Sequence, residues 1–280
     1  MKFGCFAAVE PFGTMPNQLK AIKAMGIDYA DITDSHNGGS LGVEFGFNPS
    51  LSLDSHPGKV RAMAEEAGIT LTSVCAHANL LDPESPDLFS TYEIIKAVQL
   101  ASYMGIKHVI TTEGDPKTEF GHNLSFKEKL FLTVEKLYTP VLWAEELGVK
   151  LLIEPHGEVT DNIDAMEELL DKLGHKESVG ICLDTGNSWL GGGDPLEYVK
   201  RFGNRIEHVH WKDLPADMEE DRGKLFGCGM APIAIGEGVI DVKSVVRALQ
   251  GIGYDGYTTL EVFGEENVVN SVKALKSYMS

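Results

Sequence analysis

The sequence predicts one α/β domain over residues 1–280, a single (β/α)8 barrel with parallel strands. Three observations carry this expectation. Short β-rich runs alternate with longer amphipathic ones from end to end, the pattern of repeated βα units on a parallel sheet. Helix candidates repeatedly end on glycine followed by an apolar residue, a junction that closes a helix in the left-handed conformation and opens the next strand. The 280 residues are close to the about 250 of a typical barrel, and no Pro- or Ser-rich linker divides them. A two-domain α/β protein is the alternative.

The elements follow in order. A strand candidate at 2–8 precedes a helix near 16–25, which ends at Met25-Gly26-Ile27 and opens a strand at 27–33. A helix near 57–67 ends at Ala67-Gly68-Ile69 before a strand at 69–75, and one near 86–104 ends at Met104-Gly105-Ile106 before 107–112. The helix near 125–148 gives way at Gly148-Val149 to a strand at 150–154. Helices near 162–173, 194–202 and 241–251 precede strands at 179–184, 205–210 and 257–262, and a last helix covers 265–279. Long loops follow the second, third, fourth and seventh strands (34–55, 77–86, 113–124 and 212–240). All four would crowd the carboxyl-terminal face, where barrel enzymes keep their active sites.

Composition narrows the partners. With 42 acidic and 24 basic residues the formal charge is −18, which repels phosphate backbones and anionic lipid heads. The expected substrate is therefore small and not strongly anionic, with neither nucleic acid nor membrane as partner. Cys5, Cys75, Cys182 and Cys228 are scattered without CxxC spacing and are expected to be reduced structural residues. No run approaches the roughly 20 apolar residues of a membrane span, and the first residues lack the long apolar core of a signal peptide. The cytoplasm is the expected location.

Four chemistry-bearing residues stand at the ends of four successive strand candidates: Glu154 after Leu151-Leu-Ile153, Asp184 after Ile181-Cys-Leu183, His210 after His208-Val209, and Glu261 after Thr258-Thr-Leu260. Neighbouring strands lie about 4.8 Å apart, so four adjacent strand ends can converge on one ion. Three carboxylates and an imidazole suit a divalent metal, Mn²⁺ or Mg²⁺ first, with Co²⁺ and Zn²⁺ tolerated. His208 shares a face with His210, and His210, nearer the carboxyl end, is the better ligand. Asp184 could instead cap the segment that follows it. Such a centre acidifies a C–H beside a carbonyl and stabilises the enediolate, while Glu154 and Glu261 could exchange the proton from either side. Isomerisation, epimerisation or β-elimination would follow. His156, two residues past Glu154, could serve as the base instead.

At these residues the chain resembles the xylose-isomerase-like TIM-barrel family of ketose 3-epimerases, keto-inositol isomerases and dehydratases, and endonuclease IV. The resemblance rests on Ile153-Glu-Pro155, Leu183-Asp-Thr-Gly-Asn187 with Gly193-Asp-Pro195, His208-Val-His-Trp-Lys-Asp213, Gly236-Glu-Gly-Val-Ile-Asp241 and Leu260-Glu-Val262. It implies that Glu154, Asp184, His210 and Glu261 are metal ligands and that the two glutamates form an acid/base pair. Asn187 stands where the epimerases have a histidine, and Ala216 and Asp217 stand where their substrate-binding arginine is expected. Lys212 and Asp213 resemble the keto-inositol and keto-glycoside branches, whose lyases have a histidine base that His156 would match. His77, His36, Asn187, Lys212 and Trp211 are the substrate-contact candidates, Trp211 by stacking on a sugar ring. The expected function is a metal-dependent isomerase or epimerase of a neutral keto-sugar or cyclic polyol. The alternatives are a lyase of the same family, such as a keto-inositol dehydratase or keto-glycoside deglycosidase, and a non-catalytic sugar-binding protein. A homo-oligomer is expected, with a small partner subunit if the protein is a lyase.

Overall fold

A computed structural model describes residues 1–10, 13–35, 51–83, 91–229 and 231–280. The strands are β1 (Lys2–Phe6), β2 (Tyr29–Ser35), β3 (Leu51–Ser52), β4 (Thr70–Ala76), β5 (His108–Thr112), β6 (Lys150–Glu154), β7 (Val179–Asp184), β8 (Ile206–Trp211) and β9 (Tyr257–Leu260). Their order is β1-β9-β8-β7-β6-β5-β4-β2-β3, and β1 also pairs with β2. That last pairing closes an eight-stranded parallel ring, the (β/α)8 barrel expected from the alternation. β3 lies outside the ring, pairing with β2 in the segment read from sequence as a loop.

Every helix of the expected series has a described counterpart: Met15–Ala24, Pro57–Ala67, Thr91–Met104, Phe126–Leu147, Ile163–Leu173, Pro195–Phe202, Val242–Gly251 and Glu265–Met279. At Gly68 and Gly148 the helix ends adopt φ of 68° and 62°, with each glycine N–H turned back to the preceding helical turn. Near the last strand the turn residue is Gly253 (φ 75°), because Gly251 still belongs to the helix. Short helices at Thr185–Leu190 and Ala216–Asp221 were not legible in the apolar pattern, since each is too short to show a period.

The period of two along each strand divides the core. Outward residues such as Leu151, Ile153, Ile181, Leu183, Val209 and Trp211 are buried against the surrounding helices. Inward residues Phe6, Cys75, Ile110, Leu152 and Cys182 form a separate apolar plug within the ring. Leu152 and Cys182 lie two residues before Glu154 and Asp184, so the plug floors the functional end of the lumen. All four cysteines are buried and free, and burial raises the Cys5, Cys75, Cys182 and Cys228 thiols above their ordinary range.

Two sequence motifs prove to be halves of one device. The buried Asp213 carboxylate, just past β8, accepts hydrogen bonds from the backbone N–H groups of Gly236 (2.9 Å), Gly238 (3.0 Å), Ile240 (3.1 Å) and Leu214 (3.0 Å). A Cβ at position 238 would stand 2.2 Å from Asp213 Oδ1, so glycine is required there by contact. Replacing Asp213 by alanine strands several buried donors and is expected to lower the unfolding free energy by about 3 kcal/mol. Chemical denaturation measures it, and a loss below about 0.5 kcal/mol would mean the loop is held by other contacts.

Candidate active site

Inward alternation carries the four strand-end residues to one point. Glu154 ends β6, Asp184 ends β7, His210 lies in β8 and Glu261 follows β9, and ligand atoms from all four lie within 4.8 Å of one another. His210 Nδ1 is 3.1 Å from Glu261 Oε1, 3.5 Å from Glu154 Oε2 and 4.0 Å from Asp184 Oδ2. None of these four buried atoms makes a hydrogen bond of good geometry to the described residues, and Asp184 Oδ2 is ion-paired with Lys212 at 2.7 Å. Buried polar atoms are seldom left so, and a convergent set of three carboxylate oxygens and one imidazole nitrogen fits a divalent ion.

The outer atoms of the same side chains are occupied. Asp184 Oδ1 accepts the Asn187 N–H at 2.7 Å as the N-cap of the helix Thr185–Leu190, so Asp184 serves as cap through one oxygen and offers the other to the cluster. Asn187 Nδ2 donates to Glu154 Oε1 at 3.0 Å, and its Oδ1 accepts from the Cys228 N–H and thiol, both at 3.1 Å. Lys212 Nζ lies 2.7 Å from Asp184 Oδ2, 2.5 Å from Glu261 Oε2 and 3.8 Å from Glu154 Oε1. Burial acts to lower the Lys212 pKa, yet Asp184, Glu261 and Glu154 together raise it well above its usual value, so the group remains an ammonium. Burial likewise works against the Glu154 carboxylate, but His210, Lys212 and His77 hold it well below its ordinary value.

A cavity of about 200 Å³ opens above the cluster. Its polar wall includes His77, Glu154, His156, Asn187, Lys212 and Glu261, and Phe6, Phe226 and Phe263 supply apolar surface. His77 Nε2 stands 3.8 Å from Glu154 Oε2. The His156 ring makes no protein hydrogen bond among the described residues, while its backbone N–H is tied to Thr160 Oγ1 at 3.0 Å. Gly227 lies against this ring; a Cβ there would be 2.1 Å from His156 Nε2, and its φ of +91° also favours glycine.

Residues 19–278 match the xylose isomerase-like TIM barrel family. The chain belongs to this family. Over 129 residues it is 32% identical to an inosose dehydratase of Lacticaseibacillus casei, covering 42% of this chain and 42% of that protein. The chain thus matches less than half the length of that relative. Among solved structures, a D-tagatose 3-epimerase-like protein superposes with a TM-score of 0.73 at 22% identity, covering 100% of this chain and 97% of the other. The IOLI protein with a binding zinc atom gives 0.75 at 18% identity, with 100% and 98% covered. At such identities these likenesses show the barrel fold that the family shares.

Trp211 is a correction: it is fully buried in the outer core and does not line the cavity, because His208 and His210 face inward and the next residue must face the helices. His36 lies outside the described residues. Trp189, on the helix after β7, lies beneath Arg222, whose guanidinium is 4.9 Å from its ring centre.

Sequence reasoning missed Asp31 and Glu113. Asp31 Oδ2 is 3.2 Å from His210 Nε2 and 2.9 Å from His208 Nε2, and its other oxygen accepts from the Thr72 hydroxyl. Burial opposes the Asp31 charge, but the two histidines hold its carboxyl well below the usual range. The tautomer in which Nε2 donates to that carboxylate would leave the His210 Nδ1 lone pair for an ion. An aspartate flanked by the apolar Ala30 and Ile32 in a strand run was the available signal. Glu113, just past β5, accepts from Val159 N (3.0 Å) and Thr160 N (2.9 Å) and so fixes the loop that carries His156.

Burial lowers the His156 pKa to about 4. The imidazole is therefore neutral above that pH, and protonation appears only as pH falls towards 4. Nitrogen-15 NMR of labelled histidine is expected to show no titration of this ring between about pH 8 and 5; a midpoint near the ordinary 6.5 would contradict the environment described.

Proposed function

We propose that the protein is a divalent-metal-dependent enzyme that removes a proton beside the carbonyl of a neutral keto-sugar or keto-cyclitol, and that the outcome is β-elimination of water. The single observation that carries this reading is the division of labour in the cavity. Glu154 and Glu261 each have one oxygen in the ion cluster and the other on Asn187 or Lys212, whereas His156 faces the cavity with a neutral ring. The partial likeness to an inosose dehydratase supports the same substrate class.

Glu154, Asp184, His210 and Glu261 would hold the metal, which supplies Lewis-acid stabilisation of the negative charge that develops on the substrate oxygen. The remaining steps belong to the chain's own groups. Phe6 and Phe263 offer apolar surface to a ring face, while His77 and Lys212 are cavity groups able to reach substrate oxygens. His156 takes the α-proton, and the C–H electrons form the enediolate. As that collapses, the C–O bond of the β-hydroxyl breaks. The imidazolium returns its proton to the departing oxygen, so water leaves and the neutral ring is restored. Glu113, through Val159 and Thr160, holds the His156 loop in register.

Epimerisation is the second reading, because both glutamates line the same cavity and could deliver protons from two sides once their outer bonds rearrange. Incubation of Mn²⁺-loaded protein with a keto-inositol and with ketohexoses in D₂O separates the two. Elimination is expected to give the dehydrated product, with solvent deuterium in recovered substrate, and His156→Ala should reduce kcat by about 10²- to 10⁴-fold. An epimer as the sole product, with His156→Ala active and Glu154→Gln inactive, would support the second reading. No reaction and no deuterium uptake with any of these substrates would reject the common proton-abstraction step.

The ion cluster gives a separate expectation. Asp31→Ala removes the acceptor that fixes His210 and is expected to weaken Mn²⁺ binding by about 10- to 100-fold. Isothermal titration provides the measurement, and unchanged affinity would deny Asp31 that orienting role.

A further inference from the structure

Lys212 is built into the cluster rather than draped over it. Its backbone N–H donates to Thr185 Oγ1 (2.9 Å), whose hydroxyl in turn donates to the Lys212 carbonyl (2.7 Å). Its stem passes Gly186, where a Cβ would stand 2.6 Å from Lys212 Cβ. The side chain is 9% exposed, and its ammonium bridges Asp184 and Glu261. Asp184 has little choice of donor atom, because Oδ1 is committed to the Asn187 N–H; the oxygen left for an ion, Oδ2, is the one that Lys212 holds at 2.7 Å. An ion at the convergent atoms would therefore share an oxygen with a fixed positive charge.

Charge counting gives that arrangement a purpose. The three carboxylates that face the ion position carry −3, which a divalent ion and one ammonium offset with +2 and +1; Asp31 stands behind them, paired with His208 and His210. A cluster of three carboxylates with no cation beside it would be costly to bury. We propose that Lys212 is a resident cation that sets the divalent-ion affinity of this site: it holds Asp184 and Glu261 together before an ion enters, and it weakens the ion through repulsion and competition for Asp184 Oδ2. This inference rests on the metal-centre reading given under Proposed function. It concerns ion affinity and the stability of the ion-free protein, neither of which requires the reaction to be known.

The test uses the full chain stripped with a chelator and titrated with Mn²⁺, binding being read by calorimetry and by the electron paramagnetic resonance of free Mn²⁺. Lys212→Met is expected to bind at least about tenfold more tightly, a small part of the repulsion between charges of +1 and +2 a few ångströms apart. Its stripped form should melt below wild type and gain more in Tm from Mn²⁺. Lys212→Arg keeps the charge and should stay within about threefold of wild-type affinity. If the methionine variant does not fold, Lys212→Gln replaces it, retaining hydrogen-bond donors without the charge, with the same expectation. Wild-type binding with equal or weaker affinity in the uncharged variant overturns this inference alone. Failure of wild type to bind either Mn²⁺ or Zn²⁺ overturns the metal-centre reading, and this inference with it.

Discussion

The cost of holding three carboxylates out of water within a few ångströms of one another is the constraint on which the rest of this site depends. Glu154 and Asp184 are fully buried and Glu261 nearly so, at 10% side-chain exposure. The structure offsets that cost one oxygen at a time. A helix N-terminus takes Asp184 Oδ1, an amide takes Glu154 Oε1 and an ammonium takes Glu261 Oε2. The remaining oxygens converge with His210 Nδ1 on one point, a donor set that could hold a cation, with Asp184 Oδ2 also paired to Lys212.

The loops obey the same logic at one remove. Asp213, Glu113 and Asp31 are buried carboxylates whose acceptors are spent on backbone amides, histidines or hydroxyls. Each fixes part of the cavity end: the segment after β8, the turn bearing His156, and the ring of His210. The acidic composition of the chain thus has an interior counterpart, in which carboxylates organise the end of the barrel as well as bind there. Asn187 illustrates the economy. It ties Glu154 to Cys228, joining β6 to the loop after β8.

Much of the barrel was readable because strand period and glycine-terminated helices are local properties. Glu154, Asp184, His210 and Glu261 were visible for the same reason, each closing an apolar run of its own. Trp211 was misassigned although the rule that corrects it is local: with His208 and His210 inward, position 211 faces outward. Asp31 was harder. Its contact with His210 joins residues 179 apart in sequence, across the lumen from β2 to β8, and no pattern within either strand announces the partner. The strand pairing at Leu51–Ser52 and the short helices, Glu119–His122 among them, escaped notice because two to six residues cannot establish a period.

By itself the sequence determined the alternation, the closure of eight strands and the row of strand-end residues, since these follow from side-chain periodicity and from turn chemistry within a few residues. Only the tertiary structure decided which oxygen of each carboxylate faces inward. It also showed that Lys212 lies between Asp184 and Glu261, and that His156 lines the cavity, where burial lowers its pKa. Those facts depend on burial and on hydrogen bonds between distant strands, and both come into being only when the ring closes.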